Sequence, residues 1–247
     1  MTPLIIVLAA GTLFLGSFVQ GMVGFGLGMV SVPLLSLFLD VKMAIPIATV
    51  FGWLITIPVC LKMRQHINFK LAFILYIPAI VGIQFGGELL KNVDSAYILL
   101  VMGAILILVG GSTLVNRPIR VKDNMLSAIA CGLLSGVLGA GAGESGPPIV
   151  TYMNCLKVSA ERIKATTNFY FFMAMLTVIF KLFSNGVITY DVAVITAWSI
   201  PAMLAGGIMG IYLFEYVQSK NYDVKKIMNF TILVLGIIIL AKGFSHL

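Results

Sequence analysis

Long apolar runs make up most of the chain, and the charged residues lie in the short segments between them. The runs at 71–87, 96–115, 192–214 and 227–241 carry no Lys, Arg, Asp or Glu. Runs of about 20 residues, at 1.5 Å per helical residue, match the ~30 Å hydrocarbon core of a bilayer. The alternation of apolar and polar residues that typifies membrane β-barrel strands is absent. The pattern therefore predicts an all-α, polytopic membrane protein.

A glycine pattern occurs twice along the chain. Four glycines and a proline recur at the same spacing, 115 residues later: Gly21, Gly24, Gly26, Gly28 and Pro33, then Gly136, Gly139, Gly141, Gly143 and Pro148. Residues 77–87 also resemble 200–210, and residues 99–111 resemble 232–243. We expect two related halves, residues 1–115 and 116–247, within one membrane domain, because internal repeats are common in transporter folds.

The first apolar run of each half, 3–39 and then 124–156, is too long for one helix. It is also too short for two full crossings, which need about 40 residues and a turn. Glycine costs about 1 kcal/mol inside a helix, so four glycines within eight residues predict a break. A hairpin with its glycine-rich tip at depth fits the length, since such backbone is tolerated where it is buried in protein or lines a cavity. Each half is then one broken-helix hairpin and three transmembrane helices, with two short full crossings as the alternative to each hairpin.

The distribution of Lys and Arg distinguishes a hairpin from a single crossing. With hairpins, twelve basic residues fall on one side and four, Lys42, Lys91, Lys181 and Lys242, on the other. With single crossings the same sixteen residues divide evenly. Since cytoplasmic loops are enriched in Lys and Arg, the count favours hairpins, inverted halves and both termini outside the cytoplasm. Two short full crossings give the same count.

The composition argues against several classes of function. Only 10% of the residues are charged, against roughly 25% in a soluble domain. The net charge of +7 comes from loop residues and forms no basic stripe, so nucleic acid is not an expected partner. Cys60, Cys131 and Cys155 lack metal-ligand spacing, and neither a metal nor another cofactor is expected.

The two glycine segments are the candidate substrate site, because inverted-repeat transporters bind substrate at broken helices near the membrane midplane. Ser31 with Pro33, and Ser145 with Pro147 and Pro148, resemble helix starts with a serine N-cap and a proline in the first turn. Two opposed helix N-termini would direct free N–H groups and positive dipole ends at one point, which suits an anion. Helix packing through small residues is the alternative role of the glycines.

Polar residues near the glycines complete the candidate site. Gln20 and Ser135 precede the first glycine of each pattern, and Asn168 aligns with Trp53 of the other half. Each of these either lines a pocket or bridges helices. The predicted substrate-binding residues are Gln20, Gly24, Gly26, Gly28, Ser31, Ser135, Gly139, Gly141, Gly143, Ser145, Gly146 and Asn168.

Glu144 is the carboxylate predicted to lie deepest in the membrane, because it follows about 20 residues of an apolar segment. A buried acid is costly and is a functional candidate by default. We expect Glu144 to carry a proton in coupled transport, since burial favours the neutral carboxyl group. Acceptance of N–H bonds from the following helix start is the alternative role.

The glycine segments resemble the TauE/SafE family, also called the sulfite exporter or TSUP family. The resemblance lies in GMVGFGLGMVSVPLL (21–35) and GLLSGVLGAGAGESGPPIVTYM (132–153), and the duplicated layout covers nearly the whole chain. The family's motif positions correspond to Gly21, Gly24, Gly26, Gly28, Pro33, Gly136, Gly139, Gly146, Pro147 and Pro148. The resemblance implies transport of sulfite, sulfonates or related small sulfur-containing anions across the bacterial inner membrane, coupled to protons. The segment 142–145 departs from the shorter pattern expected before Gly146.

Other functions remain open on the sequence. An anion channel, or a transporter of a small carboxylate without sulfur, would have the same features, because a sequence does not record gating. An intramembrane enzyme is a remote alternative, since the segment 143–147 lacks the last glycine of a nucleophile elbow and only His66 and His246 are present. No Walker A sequence occurs, so ATP hydrolysis by this chain is not expected. The expected partners are a small anion, protons and the lipid bilayer.

Overall fold

The computed structural model describes residues 3–23, 26–114, 121–218 and 224–245, and these contain helices and no strand. In this described part ten α-helices follow one another: α1 (Pro3–Val23), α2 (Leu27–Leu35), α3 (Val41–Lys62), α4 (Phe69–Asn92), α5 (Ser95–Leu114), α6 (Met125–Ala142), α7 (Gly146–Met153), α8 (Ala160–Ser184), α9 (Tyr190–Gln218) and α10 (Val224–Ser245). A 3-10 turn at Arg64–His66 separates α3 from α4. The all-α prediction is confirmed. The candidate site residue Gly24, the predicted junction at 115–116 and the basic residues Arg117, Arg120 and Lys220 lie outside the described residues.

The long helices have the length and composition of membrane spans. Seven of them qualify within the described residues: α1, α3, α4, α5, α6, α8 and α9. The apolar side chains of Ile77, Phe85 and Leu108 are 63%, 64% and 63% exposed, and a bilayer would cover such side chains. The protein is therefore a multi-pass membrane protein.

Each half begins with a broken-helix hairpin, as predicted. α2 returns along α1 so that Gly16 contacts Ser31, and Gly139 near the end of α6 contacts Ser145 before α7. The second arms contain 9 and 8 residues, or about 14 and 12 Å of helix, which is less than half of a bilayer core. Neither second arm is therefore long enough to span a bilayer as a helix, and the depth of each hairpin in the membrane stays a prediction. Gly26 and Gly143 lie at the breaks with φ of 108° and 73°, a region in which glycine avoids the strain of a side chain.

The main contacts between the two halves are made by corresponding pairs of helices. α1 packs on α9, while its counterpart α6 packs on α4, the counterpart of α9. α3 packs on its counterpart α8, and α5 packs on its counterpart α10. The α5–α10 pair is antiparallel, because Gly103 contacts Leu240 and Gly236 whereas Ile107, one turn later, contacts Gly236.

Close glycine contacts define the register between the halves. Gly82 and Gly86 of α4 lie against the carbonyl groups of Leu133 and Val137 in α6. In the α1–α9 pair, Gly206 and Gly210 of α9 lie in the same way against the carbonyl groups of Phe14 and Phe18 in α1. Phe14 and Leu133 are 119 residues apart, as are the helix starts Val41 and Ala160. The structural register is thus 119 residues between α1 and α6 and between α3 and α8, whereas Gly82 and Gly206, in α4 and α9, are 124 residues apart.

The register of 115 residues predicted from the glycine pattern is therefore wrong. The four-residue difference is already present before the second helix break, since Phe14 and Leu133 both lie in the first arms, α1 and α6. The counterpart of Gln20 is Gly139 and not Ser135, and the counterpart of Asn168 is Thr49 and not Trp53. The glycine pattern misled because glycines in α6 serve two purposes: Gly136 lies against the Ala79 carbonyl of α4 and has no part in the break.

Candidate substrate site

The two hairpin tips, residues 26–28 and 143–146, meet inside the bundle. A Cβ atom placed on Gly28 would lie 2.5 Å from the carbonyl oxygen of Gly143. A Cβ atom on Gly143 would lie 2.9 Å from a methyl group of Val32 in α2. Backbone of the two halves therefore approaches to a distance that only glycine permits.

A small cavity of about 20 Å³ lies beside the junction of the tips. One water molecule needs about 10–15 Å³ by the same measure, so the cavity holds little more than one water. Its wall consists of small, hydroxyl-bearing and apolar residues from both halves: Gly28, Ala48, Thr49, Ile83, Ser135, Gly136, Gly139, Gly143, Ser145, Ala174, Met175 and Val178. Five of the predicted site residues, Gly28, Ser135, Gly139, Gly143 and Ser145, are thus brought together.

A chain of hydrogen bonds holds the second tip in place. The buried hydroxyl group of Tyr170 in α8 donates to Ser135 Oγ at 2.9 Å. Ser135 Oγ donates in turn to the carbonyl oxygen of Ser145 at 2.6 Å. Ser135 is therefore both a cavity residue and a helix bridge, the two roles that the sequence left open.

The first tip begins its helix differently from the prediction. The first N–H of α2, on Leu27, donates to Oε1 of Gln20 at 3.2 Å, so the amide of Gln20 caps this helix. Ser31 was predicted as the N-cap, but it lies in the middle of α2, buried against Gly16. The prediction failed because the backbone had already turned at Gly26, whose left-handed conformation permits the break without a serine.

The second tip begins its helix closer to the prediction. Ser145 occupies the N-cap position of α7, and a proline follows within the first turn. The Ser145 side chain makes no capping hydrogen bond. α6 ends at Ala142 with Gly143 as its C-cap, and the N–H groups of Gly143 and Glu144 both donate to the carbonyl oxygen of Leu138.

Glu144 lies between two residues of the cavity wall, Gly143 and Ser145. Its side chain is 1% exposed, and neither carboxylate oxygen has a hydrogen-bond partner among the described residues. The alternative that this carboxylate accepts N–H bonds from the start of α7 is therefore not realised. Unpaired buried acids are rare because the charged form loses its hydration without compensation.

The remaining predicted residues lie outside the cavity wall: Gln20, Gly26, Ser31, Gly141, Gly146 and Asn168. Gly141 packs against the backbone of Gly86 in α4. Asn168 is buried and donates from Nδ2 to the Lys164 carbonyl oxygen of its own helix at 2.8 Å.

Sequence reasoning missed Thr49 and Tyr170. Thr49 is a polar residue in the apolar run of α3, the same signal that selected Asn168, and its hydroxyl donates to the Ile45 carbonyl oxygen at 2.7 Å. Tyr170 lies in the aromatic segment 169–172, and nothing in the sequence pattern distinguishes it from the three phenylalanines around it.

Comparison with known proteins locates the chain in a family. No curated protein and no solved structure gives a significant match. The family described as "Sulfite exporter TauE/SafE" matches residues 8–239, which include both hairpins and nearly the whole chain. This protein, with its two broken-helix hairpins meeting inside a bundle of membrane-spanning helices, therefore belongs to the TauE/SafE family of sulfite exporter-type membrane transporters.

Proposed function

We propose that this protein is a secondary transporter that moves a small sulfur-containing anion, such as sulfite or a sulfonate, across the bacterial inner membrane by alternating access and in company with protons. The observation that carries the proposal is the meeting of two broken-helix tips at a small cavity, with the unpaired, buried Glu144 between two of its wall residues. Broken helices at a repeat interface are where transporters of inverted-repeat architecture bind their substrates.

The chemistry of the cavity suits an anion of modest charge. No Lys or Arg lies in its described wall, so attraction would come from hydroxyl groups, from backbone N–H groups and from the helix dipole at the start of α7. Ser135 and Thr49 supply hydroxyl groups there, each now bonded to a carbonyl oxygen that an anion can replace as the partner. Close approach of an anion to the backbone is possible because the tips are glycines.

The size of the cavity supports alternating access. A volume of about 20 Å³ is too small for a sulfur atom with three oxygens and their contacts. The cavity would therefore enlarge when the tips separate, and a closed, water-poor state between two open states is what a carrier requires. A permanently open pore is not favoured by this arrangement.

Glu144 supports proton coupling. A charged Glu144 beside an anion would repel it, while its neutral form would not. Burial without a partner favours the neutral carboxyl group, so the substrate anion and a proton would occupy neighbouring positions together. Release of the proton to one side would then weaken anion binding on that side.

Inverted halves fit the packing and the charges. Corresponding helices that pack antiparallel, as α5 and α10 do, are expected if an axis in the membrane plane relates the halves. The excess of Lys and Arg supports an orientation with both termini outside the cytoplasm.

The test is uptake into proteoliposomes that contain the purified full-length chain. Sulfite, a sulfonate and a carboxylate would be offered with and without a pH gradient. We expect saturable uptake of a sulfur-containing anion that increases with an inward proton gradient. Flux that rises linearly with concentration and ignores the gradient would indicate a channel, and preference for the carboxylate would overturn the substrate class.

A further inference from the structure

Trp53 of α3 stacks on Phe172 of α8, with ring centroids 5.9 Å apart and planes inclined by 22°. The two residues are 119 residues apart, which is also the separation of Phe14 and Leu133 in the first arms of the two hairpins. Trp53 is thus in contact with its own counterpart, and the axis that relates the halves passes between the two rings. The cavity wall residues Thr49 and Met175 lie near this pair, on the same two helices.

The same offset of 119 residues gives five of the twelve wall residues a polar counterpart, whereas Ser135, Ala174 and Val178 correspond to Gly16, Ile55 and Val59. Gly136, Gly139, Met175, Ala48 and Thr49 of the wall have as counterparts Ser17, Gln20, Thr56, Thr167 and Asn168. A contact supports the mapping: Ile55, the counterpart of the wall residue Ala174, lies 3.3 Å from the Cβ position of Gly207. Gly207 and the wall residue Ile83 occupy equivalent positions, because each follows a glycine, Gly206 in α9 or Gly82 in α4, that lies against the first arm of a hairpin.

The five polar counterparts are all buried. Their exposed fractions are 0% for Ser17, 7% for Gln20, 0% for Thr56, 5% for Thr167 and 2% for Asn168. Where the first wall has glycine, alanine and methionine, this set has hydroxyl and amide groups. Buried polar residues in a membrane protein lower its stability, so their presence indicates a functional role.

Two hydroxyl groups in this set have no partner among the described residues: Ser17 Oγ and Thr167 Oγ1. Buried polar atoms are almost always hydrogen-bonded, so an unpaired hydroxyl indicates a missing ligand or water. Trp53 Nε1, between the two sets, is also buried without a partner in the described chain. Bridging between helices does not account for these three groups, because they bridge nothing.

We infer that Ser17, Gln20, Thr167 and Asn168 form a second binding site for the same class of small anion, and that the Trp53–Phe172 stack separates it from the first site. Thr49 and Thr56 are seven residues apart on α3, which places the sites about 10 Å apart. The inference rests on the proposed function and deepens it: the anion passes from one site to the other across the aromatic pair. The Trp53 N–H group donates a hydrogen bond to the anion during that step.

The test is a calorimetric titration of the purified full-length protein with sulfite. We expect two equivalents, the second bound roughly tenfold more weakly because two like charges about 10 Å apart repel each other. The variant Ser17→Ala/Thr167→Val should retain one equivalent, since each lost hydrogen bond weakens anion binding about tenfold. Thr49→Val/Ser135→Ala should retain the other equivalent, and Thr167→Ser should behave as wild type.

The control is Ser199→Ala, which removes another buried and unpartnered hydroxyl, in α9 and outside both sets. It should leave two equivalents. A single equivalent in the wild type, or two in Ser17→Ala/Thr167→Val, would overturn the second site. Failure of the proposed function gives a different result, namely two equivalents bound without uptake into proteoliposomes. A protein that binds no sulfite contradicts both proposals.

Discussion

Gly28 of the first hairpin lies directly against the carbonyl oxygen of Gly143 in the second, at a distance that leaves no room for a Cβ atom. This contact joins the two halves where the proposed anion site lies. Neither partner is the far end of a flexible side chain, so the contact can open only by movement of backbone. We regard it as the place where the hairpins would separate during transport.

Gly28→Ala tests this contact. Alanine favours a helix by about 1 kcal/mol over glycine, so any loss must come from the clash with the Gly143 carbonyl group. We expect transport in proteoliposomes to fall at least tenfold while the protein still inserts and purifies. The matched control is Gly11→Ala, where nothing lies within 4 Å of the new methyl group; full transport by Gly28→Ala would contradict the role of the junction.

Glu144→Gln tests proton coupling. The amide imitates the neutral carboxyl group in shape but releases no proton, so we expect substrate binding to persist and gradient-driven uptake to fall to the level without a gradient. Uptake should be compared at equal and unequal pH across the vesicle membrane. Glu88→Gln is the control, because Glu88 is half-exposed and paired with Lys181 at 2.6 Å, away from the cavity. Unchanged gradient dependence in Glu144→Gln would exclude this residue as the proton carrier.

Removal of the Ser135 hydroxyl group should destabilise the second tip. Ser135→Ala leaves both the Tyr170 hydroxyl and the Ser145 carbonyl without their partner, so we expect a loss of about 1–3 kcal/mol in the free energy of unfolding. Tyr170→Phe leaves the Ser135–Ser145 bond intact and should cost less, about 1 kcal/mol. Tyr97→Phe, on an exposed side chain, should change nothing measurable in thermal unfolding. Equal stability of all three variants would contradict the role of the hydrogen-bond chain.

Gly82 and Gly206 test the relation between the halves. Each lies against a helix carbonyl group, that of Leu133 for Gly82 and that of Phe14 for Gly206. Alanine at either position should push α4 from α6, or α9 from α1, and lower the unfolding temperature by a similar amount. Gly111→Ala is the control, since its new methyl group would lie 3.9 Å from Leu233. A loss in only one of the two variants would argue against corresponding interfaces.

Orientation in the membrane can be tested with single cysteines in place of lysines. In a variant without Cys60, Cys131 and Cys155, cysteine at Lys122 should react with a membrane-impermeant maleimide only after the inner membrane is broken. Cysteine at Lys42 should react in spheroplasts. The reverse pattern would overturn the predicted position of the termini.

The sequence by itself determined the class of protein and its secondary structure, including the broken-helix hairpin that begins each half. The length of the apolar runs and the position of the glycines are local properties, and they were enough to predict helices, membrane spans and the two broken hairpins. The family resemblance at 21–35 and 132–153 was also correct, because it too depends on local residues.

Only the tertiary structure decided which residues meet. Gly136 and Gly139 belong to the same glycine pattern, yet Gly136 packs against α4 and Gly139 against the tip at Ser145. Gln20 and Ser135 precede that pattern in the same way, but Gln20 caps α2 while Ser135 bonds Tyr170. Glycine permits a break and a close contact equally well, and its partner is chosen by helices distant in the sequence. For that reason the register of 119 residues, and with it the second set of buried polar residues, emerged only from the packing.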